Sequence, residues 1–353
     1  MLRWLRRLFS APARPRAPSA QATHTDAAAE NALPLATLPS QPTPPALPPV
    51  SFEQLERVNG AWNNWLFDWN DDNGLELNDA ETRALDALAA VLAQQSGTAL
   101  VRRLPGLVPQ LLQSLRNDSF SGSALSRTIS SDVVLVAAVI RLANSACHGT
   151  GNTVTSVEHA VILIGQEGLR QLITTVAFRP IIDMNSGFHT RRMAPRLWEH
   201  SERCAISARQ LATSMNIEPF DAFLAGLLHN VGLIAALRLM DQASRGERRL
   251  GSSLFLAQLA RDTRLLACSI AREWHFPESV VQALAEQGGL RRGAPMSPLG
   301  RLLKLTDYLG KVRMLVENEL LDESAPDLFS GLPGNAAQCY SALAASREQA
   351  AAA

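Results

Sequence analysis

His229 and Asn230 stand side by side in an apolar run, Pro219-Phe-Asp-Ala-Phe-Leu-Ala-Gly-Leu-Leu-His-Asn-Val-Gly-Leu. A histidine followed by an aspartate there would offer a hard divalent cation one neutral and one negative ligand, the start of a metal-dependent hydrolytic site. Asparagine offers only a neutral carbonyl, so the pair keeps the outline of a metal site without the charge that would hold the ion. Phe220, Phe223, Leu224, Leu227, Leu228, Val231, Ile234 and Ala235 recur at helical spacing and predict a core helix over 219–240, with His229 off its apolar face. Gly226 and Gly232 flank the imidazole and leave room for a second helix or a small ligand to come close. The ordinary alternative is a core histidine satisfied by a backbone carbonyl.

No second catalytic set replaces this pair. His148, His159, His189 and His275 fall in no recognised nucleophile motif, and His159 and His275 read as structural residues at helix boundaries. Arginines cluster at Arg191, Arg192 and Arg196, at Arg245, Arg248 and Arg249, and at Arg291 and Arg292. Such clusters can hold phosphates or acidic partners, although a solvated surface is the commoner use.

Composition bounds the possibilities. The chain has 353 residues, 46% of them hydrophobic, enough for at least one full core. Its 33 basic and 33 acidic residues cancel, so no protein-wide field recruits nucleic acid. Lys304 and Lys311 are the only lysines, and the arginine excess, spread along the whole chain, reads as a coding bias. Cys147, Cys204, Cys268 and Cys339 have no metal-binding or redox spacing and read as reduced core thiols of a cytoplasmic protein. No uninterrupted apolar run of the roughly 18 to 20 residues needed to cross a bilayer is expected.

The elements that must position the pair are helices. Residues 1–50 carry a short cationic amphipathic tip, with Arg3, Arg6 and Arg7 opposite Leu2, Leu5 and Phe9, then a proline-rich tether. The tip (residues 1–10) suits weak contact with a membrane surface or a partner, against the plainer reading of a frayed terminus. Residues 51–100 form a helical pair around a tryptophan-rich stretch. Between these helices, Asp68, Asn70, Asp72, Leu75, Glu76 and Asp79 follow calcium-loop spacing, but Asn73 replaces the turn glycine and Asp79 the bidentate glutamate. A polar connector is expected there. Residues 101–290 read as helices with short joints, among them 195–215, 252–273 and 277–286. Residues 291–353 add a helix over 299–319 containing Asp307 and an alanine-rich helix over 335–349. No period-two alternation appears, so the fold is expected to be all-α.

Motifs along the chain resemble the HDOD family, regulatory relatives of the HD metal-dependent phosphohydrolases. They are Leu104-Pro-Gly-Leu-Val-Pro-Gln-Leu-Leu, Arg141-Leu-Ala-Asn-Ser-Ala, Val154-Thr-Ser-Val-Glu-His-Ala-Val-Ile-Leu-Ile-Gly, Leu197-Trp-Glu-His-Ser, the His229-Asn230 run and Trp274-His-Phe-Pro-Glu-Ser, in family order. The resemblance implies that His200, His229 with Asn230, and Asp307 occupy the positions of the catalytic relatives' metal ligands. Thr263 and Glu286-Gln287 stand where those relatives often carry further histidines. The expected metal site is therefore vestigial, with no catalytic residue and no cofactor.

The resemblance implies a non-enzymatic, all-α bacterial signalling module that binds a protein partner. The alternative is a metal-dependent phosphohydrolase or phosphodiesterase using His200, His229 and Asp307, and a third reading is a membrane-surface adaptor on a tether.

Overall fold

A computed structural model describes residues 50–68, 74–94, 187–246, 249–288 and 296–351, with a few isolated positions between 136 and 174. The tip and tether, the motifs from Leu104 to Gly165 apart from Ser156, His159 and Ala160, Cys147 and His148, Asn70 and Asp72 of the acidic turn, and Arg248, Arg291 and Arg292 lie outside the described residues. The described residues hold no strand. Their helices are α1 (Phe52–Phe67), α2 (Asp79–Ala93), α3 (Phe188–Ala212), α4 (Pro219–Leu228), α5 (Val231–Ser244), α6 (Ser253–Glu273), α7 (Glu278–Ala285), α8 (Pro298–Glu317) and α9 (Gly334–Ala351), with a 3-10 turn at Thr213–Met215.

Local chemistry sets where these helices begin. Ser51 and Asn78 close capping boxes with Gln54 and Glu81, Ser252 and Ser297 cap α6 and α8, and proline opens α4 and α8. The centre is α3 against α4 and α8. The α2, α5 and α6 helices pack on one side, α7 bridges α4, α6 and α8, and α9 lies across α3 and α8. Leu197, Phe223, Leu228, Ile270, Leu302 and Leu309 fill the interior.

The helix expected over 219–240 is two helices. Asn230 sits at φ −98° and ψ 5°, a bridge conformation that ends α4 at His229 and lets α5 restart from the Asn230 carbonyl. Periodicity missed this break because the apolar residues continue in phase across it. The span Pro219–Ser244 is long and apolar enough to cross a membrane, unlike the sequence expectation, but 78% of its most apolar window is buried among the other helices. Its apolarity is that of a core element.

Helices, not a ligand, use both flanking glycines. A Cβ at Gly226 would lie 2.5 Å from the Ala205 backbone nitrogen of α3, and one at Gly232 would lie 1.8 Å from the Thr263 carbonyl of α6. Both crossings are backbone-to-backbone.

Ion pairs and buried acids bolt the outer helices on. Arg203 of α3, 3% exposed, reaches Glu317 of α8 at 2.7 Å and Glu199 at 2.6 Å. The Glu81 carboxylate of α2 is fully buried and accepts from the Gly251 and Ser252 amides at 2.7 and 2.8 Å and from the Ser252 hydroxyl at 2.8 Å. It thereby ties α2 to the start of α6. The cluster of Arg191, Arg192 and Arg196 lies inside α3. Arg192 pairs with Asp68, while Arg196 donates to the Trp65 carbonyl at 2.8 Å and stacks 4.4 Å from that indole. Two of its three arginines hold α1 in place, so the cluster is not an open anion-binding surface.

Glu81→Ala strands the Gly251 and Ser252 amides in the interior and lowers unfolding free energy by about 3 kcal/mol, with Glu81→Gln intermediate. Urea denaturation of the two variants measures it.

Candidate functional site

The α4–α5 break turns His229 toward α8 and Asn230 toward α3. His229 Nε2 lies 2.8 Å from Asp307 Oδ1. A carboxylate only accepts, so this nitrogen carries the proton. Lys311, one turn along α8, donates to Asp307 Oδ2 at 2.9 Å and to Asn59 Oδ1 of α1 at 2.8 Å. Each oxygen of the Asp307 carboxylate thus faces a donor from the chain itself.

On the other side, the Asn230 amide nitrogen lies 2.9 Å from His200 Nδ1, 3.0 Å from Ser201 Oγ and 3.2 Å from the Leu197 carbonyl. The Leu197 oxygen can only accept, which fixes the amide with its nitrogen inward. His200 Nδ1 therefore accepts from Asn230, and His200 Nε2 donates to the Asp307 carbonyl at 3.2 Å. Trp62 of α1 covers the His200 ring with centroids 4.8 Å apart, and Gly310 lets α8 approach it, since a Cβ there would stand 3.1 Å from His200 Cδ2.

Burial dominates the electrostatics. His200 is completely buried and is pushed down to about 3, because burial outweighs the nearby Asp307 charge. Burial by itself would raise the Asp307 carboxyl, but Lys311, then His229 and His200, overcome it and hold Asp307 well below the usual carboxylate range. The Cys204 thiol, 3.4 Å from His200 Nε2, is pushed well above its ordinary value by burial. Cys204, Cys268 and Cys339 are all free and buried.

The positions singled out in the sequence come together. One ligand-type atom from each of His200, His229 and Asp307 falls within 4.8 Å of the others. Distance alone would suit a divalent ion, although the hydrogen bonds already engage the carboxylate. Thr263 borders the site but turns its hydroxyl back to the Leu259 carbonyl at 2.7 Å. Glu286 binds the Ser297 amide and hydroxyl, and Gln287 donates to the Ala283 and Gly300 carbonyls. His275 is an exposed left-handed residue (φ 56°) just past α6, which fits its structural reading. Of the acidic turn, Asp68 is taken by Arg192 and Asp79 opens α2.

Sequence reasoning missed Lys311, Asn59 and Trp62. A signal for Lys311 existed: in a chain that otherwise uses arginine, both lysines flank Asp307 on its own helix, at i−3 and i+4. Asn59 and Trp62 gave none, being far away in sequence.

An all-α domain whose buried His-Asn-His-Asp cluster lies at a broken core helix defines an HD-like helical protein. A family model described as the HDOD domain matches residues 101–289, more than half of the chain, and the chain belongs to the HDOD family. An HDOD-domain protein of unknown function from Geobacter sulfurreducens is 20% identical with a TM-score of 0.55, covering 77% of this chain and 98% of that one. A protein from Marinobacter aquaeolei VT8, provisionally assigned to signal transduction, is 20% identical with a TM-score of 0.53, covering 79% and 67%. One from Shewanella amazonensis SB2B, provisionally assigned as a phosphohydrolase, is 22% identical with a TM-score of 0.54, covering 74% and 95%. Likeness at this identity establishes the fold and no activity. An uncharacterized protein of Treponema pallidum is 22% identical over 193 residues, 52% of this chain but only 37% of that protein's length.

Two outcomes follow from the buried network. His200 binds its proton more weakly when folded than when unfolded, where its value is about 6.5, so its contribution is full above that pH and is lost as pH falls toward 3. Asp307 acts with the same sign below the ordinary carboxylate range. Stability falls by about 3 kcal/mol between neutrality and pH 4 through His200, read from urea midpoints against pH, and His200→Leu removes that part of the slope. Asn230→Asp turns a carboxylate onto the Leu197 carbonyl and the unprotonated His200 Nδ1. It destabilises by roughly 2 to 4 kcal/mol at pH 8 and recovers partly at pH 6, as His200 takes up a proton.

Proposed function

We propose that this chain is a non-enzymatic HDOD regulatory module that acts by binding a protein partner. The observation that carries this reading is the occupation of Asp307: His229 donates to one carboxylate oxygen and the Lys311 ammonium to the other. A fixed positive charge stands beside the carboxylate where a divalent cation would bring its own. Asn230 is a neutral amide whose nitrogen is turned onto the Leu197 carbonyl, His200 Nδ1 and Ser201, so it brings no negative charge to the cluster. The residues present therefore do not fit a hydrolytic metal, and no metal-activated water enters the mechanism. The fold-level neighbour provisionally assigned to signal transduction agrees with a regulatory role.

The competing reading, a metal-dependent phosphohydrolase, draws on one observation: His200, His229 and Asp307 cluster within 4.8 Å. Metal analysis of protein purified without chelator, paired with hydrolysis assays on nucleotides, separates the two. The expected result is substoichiometric metal and no turnover. One tightly held metal per chain, with turnover abolished by His229→Ala, would overturn the regulatory reading. The double substitution Asn230→Asp with Lys311→Ala restores the carboxylate and removes the competing cation. It is expected to raise affinity for divalent manganese at least roughly tenfold, measured by calorimetry.

A further inference from the structure

A cavity of about 640 Å³ opens beside the His229–Asn230 break. That volume lies within the roughly 300 to 1,000 Å³ of small-molecule sites and is too small for a folded segment. The α1 helix supplies an apolar wall through Leu55, Trp62 and Leu66, and Asn59 and Asn63 add polar groups. The facing walls come from α5, α6 and α8.

Charge in this cavity is one-sided. Among the described residues, Arg261, Arg264, Lys304 and Lys311 line it against one carboxylate, Asp307. A chain whose 33 basic and 33 acidic residues cancel, and which has only two lysines, places both of them here. Lys311 is committed to Asp307 and Asn59. Arg261, Arg264 and Lys304 have no hydrogen bond or ion pair among the described residues. A Cβ on Gly288 would fall 1.7 Å from the guanidinium carbon of Arg264, so the glycine makes room for that head group. The Asp262 carboxylate acts on Arg261 and Arg264 through its charge without forming an ion pair with either, so the partly desolvated guanidinium of Arg264 gains from an anion supplied from outside.

We infer that this cavity binds a small organic phosphate of mononucleotide size, with the phosphate on Arg264, Lys304 and Arg261 and a flat apolar body against Trp62, Leu55 and Leu66. Three cations that no described residue engages by a hydrogen bond or ion pair suit a phosphate dianion better than a monocarboxylate, which would balance less of their charge. Lys311, by neutralising Asp307, removes the one group in the cavity that would repel the phosphate. The inference rests on the regulatory reading in one respect, that the ligand is held without being hydrolysed. Binding would then report to α1, the wall outside the matched family segment.

The test is calorimetry on the full-length chain in EDTA at low salt, with AMP, GMP, adenosine, guanosine and inorganic phosphate as probes. AMP or GMP is expected to bind at least about tenfold more tightly than either its nucleoside or inorganic phosphate, and to weaken as salt rises. Lys304→Ala and Arg264→Ala are each expected to weaken it about tenfold or more with little change in melting temperature. Arg261→Ala, at an exposed position, gives a smaller loss in a variant with nothing packed to lose. Absence of nucleotide binding at millimolar concentration, equal binding of the nucleosides, or full affinity in all three variants would overturn the inference. Nucleotide that binds in EDTA and is cleaved in a parallel incubation with manganese and no chelator would support the site and sink the non-enzymatic reading, so the two fail separately.

Discussion

A carboxylate buried between helices has to be neutralised, and the arrangement around Asp307 follows from that requirement. Lys311 and His229 each take one oxygen, and His200 binds the backbone carbonyl of the same residue. Those contacts join α8 to α4 and, through Asn59 on Lys311, to α1. His200 can stay neutral at this depth because Asn230 gives its Nδ1 a donor and Asp307 gives its Nε2 an acceptor. The cluster is internally satisfied, and a satisfied buried network fixes the relative placement of the helices that carry it.

The backbone makes the cluster possible in two ways. The bridge conformation at Asn230 directs adjacent side chains to opposite neighbours, which a continuous helix would splay by a fixed angle. Glycines at 226, 232 and 310 let α3, α6 and the His200 ring come within distances that a methyl group would block. The α1 helix then closes over the cluster, held by Arg196 on Trp65, Arg192 on Asp68 and Trp62 on His200. Asp307, Lys311 and α1 all lie outside the segment that the family model matches, so the site is completed by the flanking parts of the chain. Beside it lies a cavity lined by Arg261, Arg264 and Lys304, which make no hydrogen bond or ion pair among the described residues.

The charge pattern of this cluster differs from that of a His-Asp metal site at two positions, Asn230 and Lys311. Substituting Asn for Asp removes one negative charge, and a lysine on the remaining carboxylate supplies the positive charge that an ion would have contributed. Both changes shift the cluster's charge in the same, positive direction, so together they leave it near the balance it would have with a divalent ion bound.

Much of the fold was legible in the sequence, because helical periodicity and capping signals are local. Apolar spacing predicts the α1–α2 pair and places α6 and α8 within a few residues of where they lie, and the order of motifs gives the family. The sequence also carried the loss of charge at Asn230 and the gathering of His200, His229 and Asp307. Only tertiary structure decided what these residues do. The helix break at Asn230 is invisible to a periodicity that continues in phase, and Arg192 and Arg196 were taken for surface until α1 packed onto them. An Asp307–Lys311 pair at i,i+4 is ordinary on any helix and gains meaning only when buried against His229, 78 positions away, and Asn59, 252 away. Those pairings depend on how helix faces meet in space, which the spacing of residues along one helix does not encode.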